Sequence, residues 1–387
     1  MTHTLLSRLR ARGPKRILSL DGGGIRGCST VGFLEQIERV VRERMGPEAK
    51  LADYFDLIGG TSTGAILATL LALGKSVEQV KLSYLELGPD VFSKRSVQAR
   101  LPWIGRKLFT NWSVKPLEKH AKALLSEKTT LGSPAVKTGL CIVTKRADTF
   151  STWPYINHPD GKYYSDNADI PLWKLVRASS AAPTYFRPIR MDVGEAGTTD
   201  YGVFIDGGVS MANNPSLQLF LVATLKGFPF RWPTGEDNLL MVSVGTGRFH
   251  RKLSESEIVK SENLYWARNV PELLMQDASD HNELILQYLS DSPTARPIDW
   301  EVGDLKGDLL GGQPQLSYVR YDSILEREKL EQVGQSVRDN ELSSLRDMSV
   351  GRNARRHYEI GAAFAATQVK ADHFPAVFDL PARDSAE

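Results

Sequence analysis

A chain of 387 residues, 41% apolar and 24% charged, has room for one large α/β domain or two to three smaller ones, and its composition excludes wholesale disorder. A net charge of +2 gives no bulk attraction to a nucleic acid polymer. Two cysteines, Cys28 and Cys141, are too few for a disulfide framework or a structural zinc site, which fits a reducing cytoplasmic setting.

Residues 1–14 form a basic N-terminal tail without the apolar stretch and cleavage site of a signal peptide. The tail reads as solvated; Leu5, Leu6 and Leu9 beside Arg8, Arg10 and Arg12 offer a short amphipathic turn for an anionic bilayer as the other reading. Residues 16–20 then read as a buried strand running into glycines, and 27–44 as a helix with apolar residues at helical spacing. The pair repeats: 54–58 is a strand entering Gly59 and Gly60, and 64–73 is a buried helix stopped by Gly74. Ser76 with Gln79 makes a capping box that opens a further helix. Strand, glycine turn and helix in alternation predict an α/β fold, with helices packed on a mostly parallel sheet.

Residues 89–135, with Pro89, Pro102, Trp103, Trp112, Pro116 and Pro134, break that rhythm and read as a cap or insertion. The pattern resumes with a strand at 138–144, a helix at 169–181 and a short strand at 203–205 that enters Asp206-Gly207-Gly208. Asn214-Pro215 opens a helix through Leu225, and 239–244 is another apolar strand, ending in Gly245-Thr246-Gly247. This gives a first, α/β domain over 15–250. The C-terminal part, 251–387, reads as mostly helical and packed on that domain. It holds a capping box at Ser254 and Glu257, two or three helices before Ser290, a strand at 316–321 and an amphipathic helix at 353–369.

Three stretches carry chemistry. Gly60-Thr61-Ser62-Thr63-Gly64 is a G-x-S-x-G sequence between a predicted strand and a predicted helix, the context of a nucleophile elbow with Ser62 as nucleophile. Such a serine needs a base. Of the seven histidines, His250 comes nearest to a strand-end loop, but it sits in the basic run GRFHRK. Asp206, at a strand end followed by two glycines, is equally a turn residue or a base whose pKa burial would raise.

The third stretch is ILSLDGGGIRG, residues 17–27. Gly22, Gly24 and Gly27 fit the spacing of a dinucleotide-binding loop, but the second strand ends in glycines and threonine instead of the acidic residue that binds ribose. A P-loop would need Gly-Lys-Ser/Thr, and Gly27 is followed by Cys28. An oxyanion hole needs two unobstructed amides, which Gly22, Gly23 and Gly24 offer, with Arg26 adding positive charge.

Taken together, the Asp21 to Gly27 loop, the Gly60 to Gly64 elbow and the Asp206 to Gly208 turn resemble, in order, the motifs of the patatin-like phospholipase family. ASSAAPTYF, DGGVSMANNP and SVGTG strengthen the likeness, which covers about 14–250. The resemblance implies a three-layer sandwich and a lipid acyl hydrolase of phospholipase A type. Ser62 and Asp206 would form a dyad without histidine, and Gly22, Gly23, Gly24 and Arg26 would hold the oxyanion. It implies no cofactor, and the sequence shows no H-E-x-x-H or calcium-spaced carboxylates for a metal. Ala65 departs from the glycine many relatives carry after the elbow.

YVRY, residues 318–321, resembles a segment of longer bacterial members, some of which cyclic nucleotides switch on in antiviral defence. A nucleotide activator is therefore a candidate partner beside a phospholipid surface, at the inner face of the membrane. Arg248, Arg251, Lys252, Arg352, Arg355 and Arg356 read either as an anion site or as a solvated basic face. Rival readings are an esterase or thioesterase for soluble acyl compounds, and a nucleotide-binding protein using the glycine loop. The sequence is silent on oligomeric state.

Overall fold

The computed structural model describes residues 2–91, 112–194, 200–250 and 263–380, with single positions 255 and 259. Eight strands form one sheet: β1 Lys15–Leu20, β2 Leu57–Thr61, β3 Gly139–Arg146, β4 Thr152–Ile156, β5 Ile189–Asp192, β6 Tyr201–Asp206, β7 Leu239–Val244 and β8 Ser317–Tyr321. The order β3-β2-β1-β7-β8 is parallel throughout, while β4, β5 and β6 run antiparallel to their neighbours. The longer helices are α1 Thr2–Arg10, α2 Gly27–Met45, α3 Thr63–Ala72, α4 Val77–Val91, α5 Val114–Leu125, α6 Leu172–Ser179, α7 Ser216–Thr224, α8 Asn263–Tyr288 and α9 Ala354–Gln368.

The central strands are apolar on both sides, so both faces of the sheet must be covered. Leu18, Leu20, Ile58, Ile142 and Val242 pack into one core with residues of α2, α3 and α9. Their alternates Ile17, Leu57, Cys141, Val143 and Met241 pack into a second core with α7 and Leu286 of α8. Helix, sheet and helix therefore make three layers, as the resemblance implies.

The chain departs from the sequence reading in two places, at its N-terminus and in its second strand. The N-terminal tail is not solvated: α1 is docked, with Leu9 1% exposed and Arg8 bound to Asp56 at 3.2 Å and to the carbonyls of Ala52, Asp53 and Phe55. The second strand starts later than predicted, after a short helix Leu51–Tyr54, and runs through its glycines to Thr61. Glycine is required there by close approach: a Cβ on Gly60 would lie 2.2 Å from the Gly64 carbonyl. Before Ser290 the described residues hold the 26-residue helix α8 and two further helical positions, 255 and 259. The residues beyond 250 also complete the sheet through β8, and α9 crosses α2 so closely that a Cβ on Gly361 would lie 2.1 Å from the Ser29 carbonyl oxygen.

The Ser76–Gln79 capping box is formed, each side chain bonded to the other's amide. Trp112 packs against the first core. Residues 92–111 of the expected cap, with Trp103, lie outside the described residues, as does the Ser254–Glu257 box.

Candidate active site

Strand β3 brings the candidate residues together by register. β2 and β4 pair with overlapping parts of β3, at 139–143 and 141–145, so they occupy opposite edges. β6 pairs with 144–146, overlapping β4, so it shares the edge of β2 just beyond the point where β2 ends. Thr61 faces Val143 and Asp206 faces Thr144, on consecutive residues of one strand. The residue after Thr61 is Ser62. Two chain segments that meet end to end along β3 therefore deliver the serine and the aspartate to one point.

Ser62 sits at φ 54° and ψ −120°, the strained turn that an elbow demands of its nucleophile. The turn is tight because both flanking glycines are pressed on backbone: a Cβ on Gly64 would lie 2.1 Å from the Leu20 carbonyl oxygen. The Ser62 amide donates to the Ser179 hydroxyl at 2.8 Å, and that hydroxyl donates to the Val143 carbonyl at 2.6 Å. The strained residue is thereby tied to β3.

Asp206 is 4% exposed. Its carboxylate accepts the Gly208 amide at 2.7 Å, and its own amide donates to the Ala181 carbonyl. Burial pushes the carboxyl up to about 6, against the opposing pull of the Ser62 hydroxyl and the Gly208 amide. Among the described residues no histidine hydrogen-bonds either group: His120 is held by Asp90, His250 by Glu326 and His373 by Tyr321.

The glycine loop lies directly over the elbow, where a Cβ on Gly22 would lie 3.3 Å from Ser62 Cβ. The three glycines are not equivalent. The Gly22 amide is taken by the Asn213 carbonyl at 3.0 Å, and the Thr246 hydroxyl donates to the Gly22 carbonyl at 2.9 Å. Among the described residues the amides of Gly23 and Gly24 donate to no protein acceptor. Gly24 has φ +58° and its carbonyl accepts the Tyr84 hydroxyl. Arg26 is half-buried, lies over the Phe249 ring and lines a cavity of about 30 Å³ with Asp21, Asn213 and Thr246. Asp21, which starts the loop, is held on both carboxylate oxygens by Arg320 of β8, at 2.8 and 2.6 Å.

The family model for patatin-like phospholipase matches residues 18–220, just over half of the chain and the span that holds the loop, the elbow and Asp206. The chain belongs to the patatin-like phospholipase family. Among its relatives, a cGAMP-activated phospholipase of Vibrio cholerae serotype O1 is 34% identical over 209 residues, covering 52% of this chain and 55% of that protein. A cGAMP-activated phospholipase of Escherichia coli strain TW11681 is 29% identical, covering 63% and 65%. Patatin-like protein 1 of Arabidopsis thaliana is 29% identical, covering 76% and 75%. The match thus spans about half of the Vibrio protein's length.

Four residues of this patatin-like site escape a motif search. Ser179, Asn213 and Thr246 lie in stretches that resemble the family, but their contacts run to Ser62 and Gly22, 117, 191 and 224 positions away. Arg320 sits in YVRY, with only its spacing in a strand to mark it.

Proposed function

We propose that the protein is a lipid acyl hydrolase that cleaves phospholipid esters through Ser62 and Asp206. The observation that carries this reading is that β3 sets the buried Asp206 and the strained Ser62 elbow side by side, at Thr144 and just past Val143. Asp206 takes the hydroxyl proton as Ser62 Oγ bonds the ester carbonyl carbon. The amides of Gly23 and Gly24 receive the oxyanion; one such donor is worth about 3 kcal/mol. The intermediate collapses by breaking the bond to the alcohol oxygen, which leaves with the proton from Asp206. Water then gives a proton to Asp206 and attacks the acyl-serine, and the second collapse returns the proton to Ser62 and frees the fatty acid. A carboxyl near 6 is ionised at neutral pH and still basic enough for this work.

A lipid surface is the setting the exterior favours. α8 packs on the turn after Asp206, with the Asn282 amide bonded to the Met211 carbonyl. Around that junction Val209, Met211, Leu273 and Leu274 are 39–59% exposed. Apolar side chains beside the site suit a substrate presented by a bilayer. No described helix is long and apolar enough to cross a membrane, so peripheral attachment is the matching mode. The two cGAMP-activated relatives extend the reading to a nucleotide-activated enzyme that degrades membranes, the antiviral role the resemblance implies.

Mass spectrometry of products from mixed phospholipid vesicles, with wild type, Ser62→Ala and Asp206→Asn, tests the reading. Wild type should release fatty acid and both variants should not. Cleavage of soluble short-chain esters alone would replace it with the esterase reading. Failure of a fluorophosphonate to label Ser62 would remove the serine mechanism.

A further inference from the structure

Beyond the ester-cleaving site, the C-terminal ends of β7 and β8 border a second cavity of about 280 Å³. β8 lies three strand positions from β2, about 14 Å at ~4.8 Å per strand. The cavity is therefore displaced from the Ser62 elbow, but it shares Arg248, Glu283, Arg296, Arg320 and Asp322 with the small cavity at the glycine loop, and both lie at the carboxyl ends of parallel strands, where α/β sheets bind ligands.

Its lining is cationic and incompletely paired. Although Arg320 Nε is itself buried without a hydrogen bond, Arg296 is paired with Asp280 and Glu283, and Arg320 with Asp21 and Asp322. Arg248 is not: among the described residues its guanidinium has no carboxylate or carbonyl partner, and its Nε is buried without a hydrogen bond. Burial and the neighbouring Arg296 disfavour its charge, against the pull of Glu283, Asp322 and Asp280, none of which bonds it. Lys370 stands exposed on the same cavity, with Thr294 and Gln368 adding neutral polar groups. A half-buried guanidinium with no bonded acceptor of its own is costly to keep charged unless an anion reaches it. Arginine with hydroxyl and amide donors is the set that recognises phosphate esters.

We propose that this cavity is a phosphate-ester site, with Arg248 as its main anchor, and that it regulates the oxyanion loop. Arg320 lines the cavity and holds both oxygens of Asp21, the residue that leads into Gly22. Asp322, also on the wall, accepts the Gly247 amide at 2.7 Å, next to the Thr246 that bonds Gly22. An anion drawn in by Arg248 competes for Arg320 and changes its grip on Asp21, and with it the aim of the Gly23 and Gly24 amides. The nucleotide form of the proposal rests on the activated-hydrolase reading above; the site itself does not.

Isothermal titration calorimetry on the full chain, with cGAMP, GMP, glycerophosphocholine and inorganic phosphate as separate probes, tests this. At least one phosphate ester should bind wild type. Arg248→Gln should weaken it about tenfold to a hundredfold, the scale of a lost charge-assisted hydrogen bond. Lys370→Gln, an exposed change that leaves packing alone, should weaken it by a smaller factor, and Arg352→Gln, also exposed, should not. Binding of cGAMP or GMP assigns the site to a nucleotide; binding of glycerophosphocholine alone assigns it to a lipid headgroup. Binding that ignores both Arg248→Gln and Lys370→Gln overturns the proposal, as does a wild type that binds none of the four probes at millimolar concentration. Calorimetry reads the cavity without turnover, so a protein that binds through Arg248 but cleaves no lipid would defeat the hydrolase reading and leave this one standing.

Discussion

The Ser179 hydroxyl stands between the Ser62 amide and the Val143 carbonyl, accepting from one at 2.8 Å and donating to the other at 2.6 Å. It ties the strained serine to β3, the strand against which β6 sets Asp206. Ser179→Ala leaves the serine amide without its acceptor and lets the elbow relax. We expect kcat on a soluble ester to fall about tenfold to a hundredfold with KM little changed, since a small misplacement of a nucleophile costs on that order. Stability should drop by about 1–3 kcal/mol in urea titration, the cost of unpaired buried polar groups. An unchanged kcat would show that the link does not position Ser62.

The acid limb of the pH–rate profile should report Asp206. Its carboxyl is raised to about 6 by burial, so kcat/KM should climb about tenfold per pH unit below 6 and level off above it. A limb centred on 4, the ordinary carboxylate range, would place the base in water and contradict the buried geometry.

The same shift sets a stability trade. The folded pKa of Asp206 lies above the unfolded one, so the folded protein binds this proton more tightly. The group's contribution to stability is full below about pH 4 and is lost as pH rises through about 6. Two units correspond to at most about 3 kcal/mol. Asp206→Asn should therefore abolish turnover yet raise the denaturation midpoint at pH 7.5, with the gain shrinking towards pH 4. Thermal melts at both pH values check the sign.

Gly23→Ala should be the most damaging single methyl in the loop. Its Cβ would lie 2.1 Å from the Thr246 hydroxyl, itself bonded to the Gly22 carbonyl, so the loop must move. Displacing an oxyanion donor costs ~100-fold or more in kcat. Gly227→Ala, with nothing within 4 Å of the added atom, is the matched control and should be silent.

Arg320→Met strands the buried Asp21 carboxylate and should cost about 3–5 kcal/mol in urea unfolding. The double variant Asp21→Asn with Arg320→Met removes both charges and should recover most of that loss. A double variant no better than the single one would mean that Arg320 acts through packing and not through Asp21.

The parts of the site that were legible carry local turn chemistry. The glycines after β1, the G-x-S-x-G elbow and Asp206-Gly-Gly announce themselves within a few residues, and the strand-helix alternation around the first two gives the parallel half of the sheet. Of the antiparallel half only β6 was legible, as the short strand before Asp206; β4 includes Pro154 and is only half-buried, and β5 is only four residues long. Leu9 becomes core only because Asp56 and Trp232 come to meet α1, which no window over a basic N-terminus reveals. The separate duties of Gly22 and of its two neighbours were likewise invisible: Asn213 decides which amide is taken, from 191 positions away.

The shared edge of β3 makes the spacing between Ser62 and Asp206 a counted quantity instead of a graded one. A slip of β6 by one residue would set Ile205 or Gly207 opposite Thr144, and neither side chain can carry a proton. Small strains elsewhere in the molecule can tilt the oxyanion loop, but they have no means of nudging the base a fraction of an ångström along the sheet. Control by degrees belongs to the glycines; the pair beneath them is either assembled or absent.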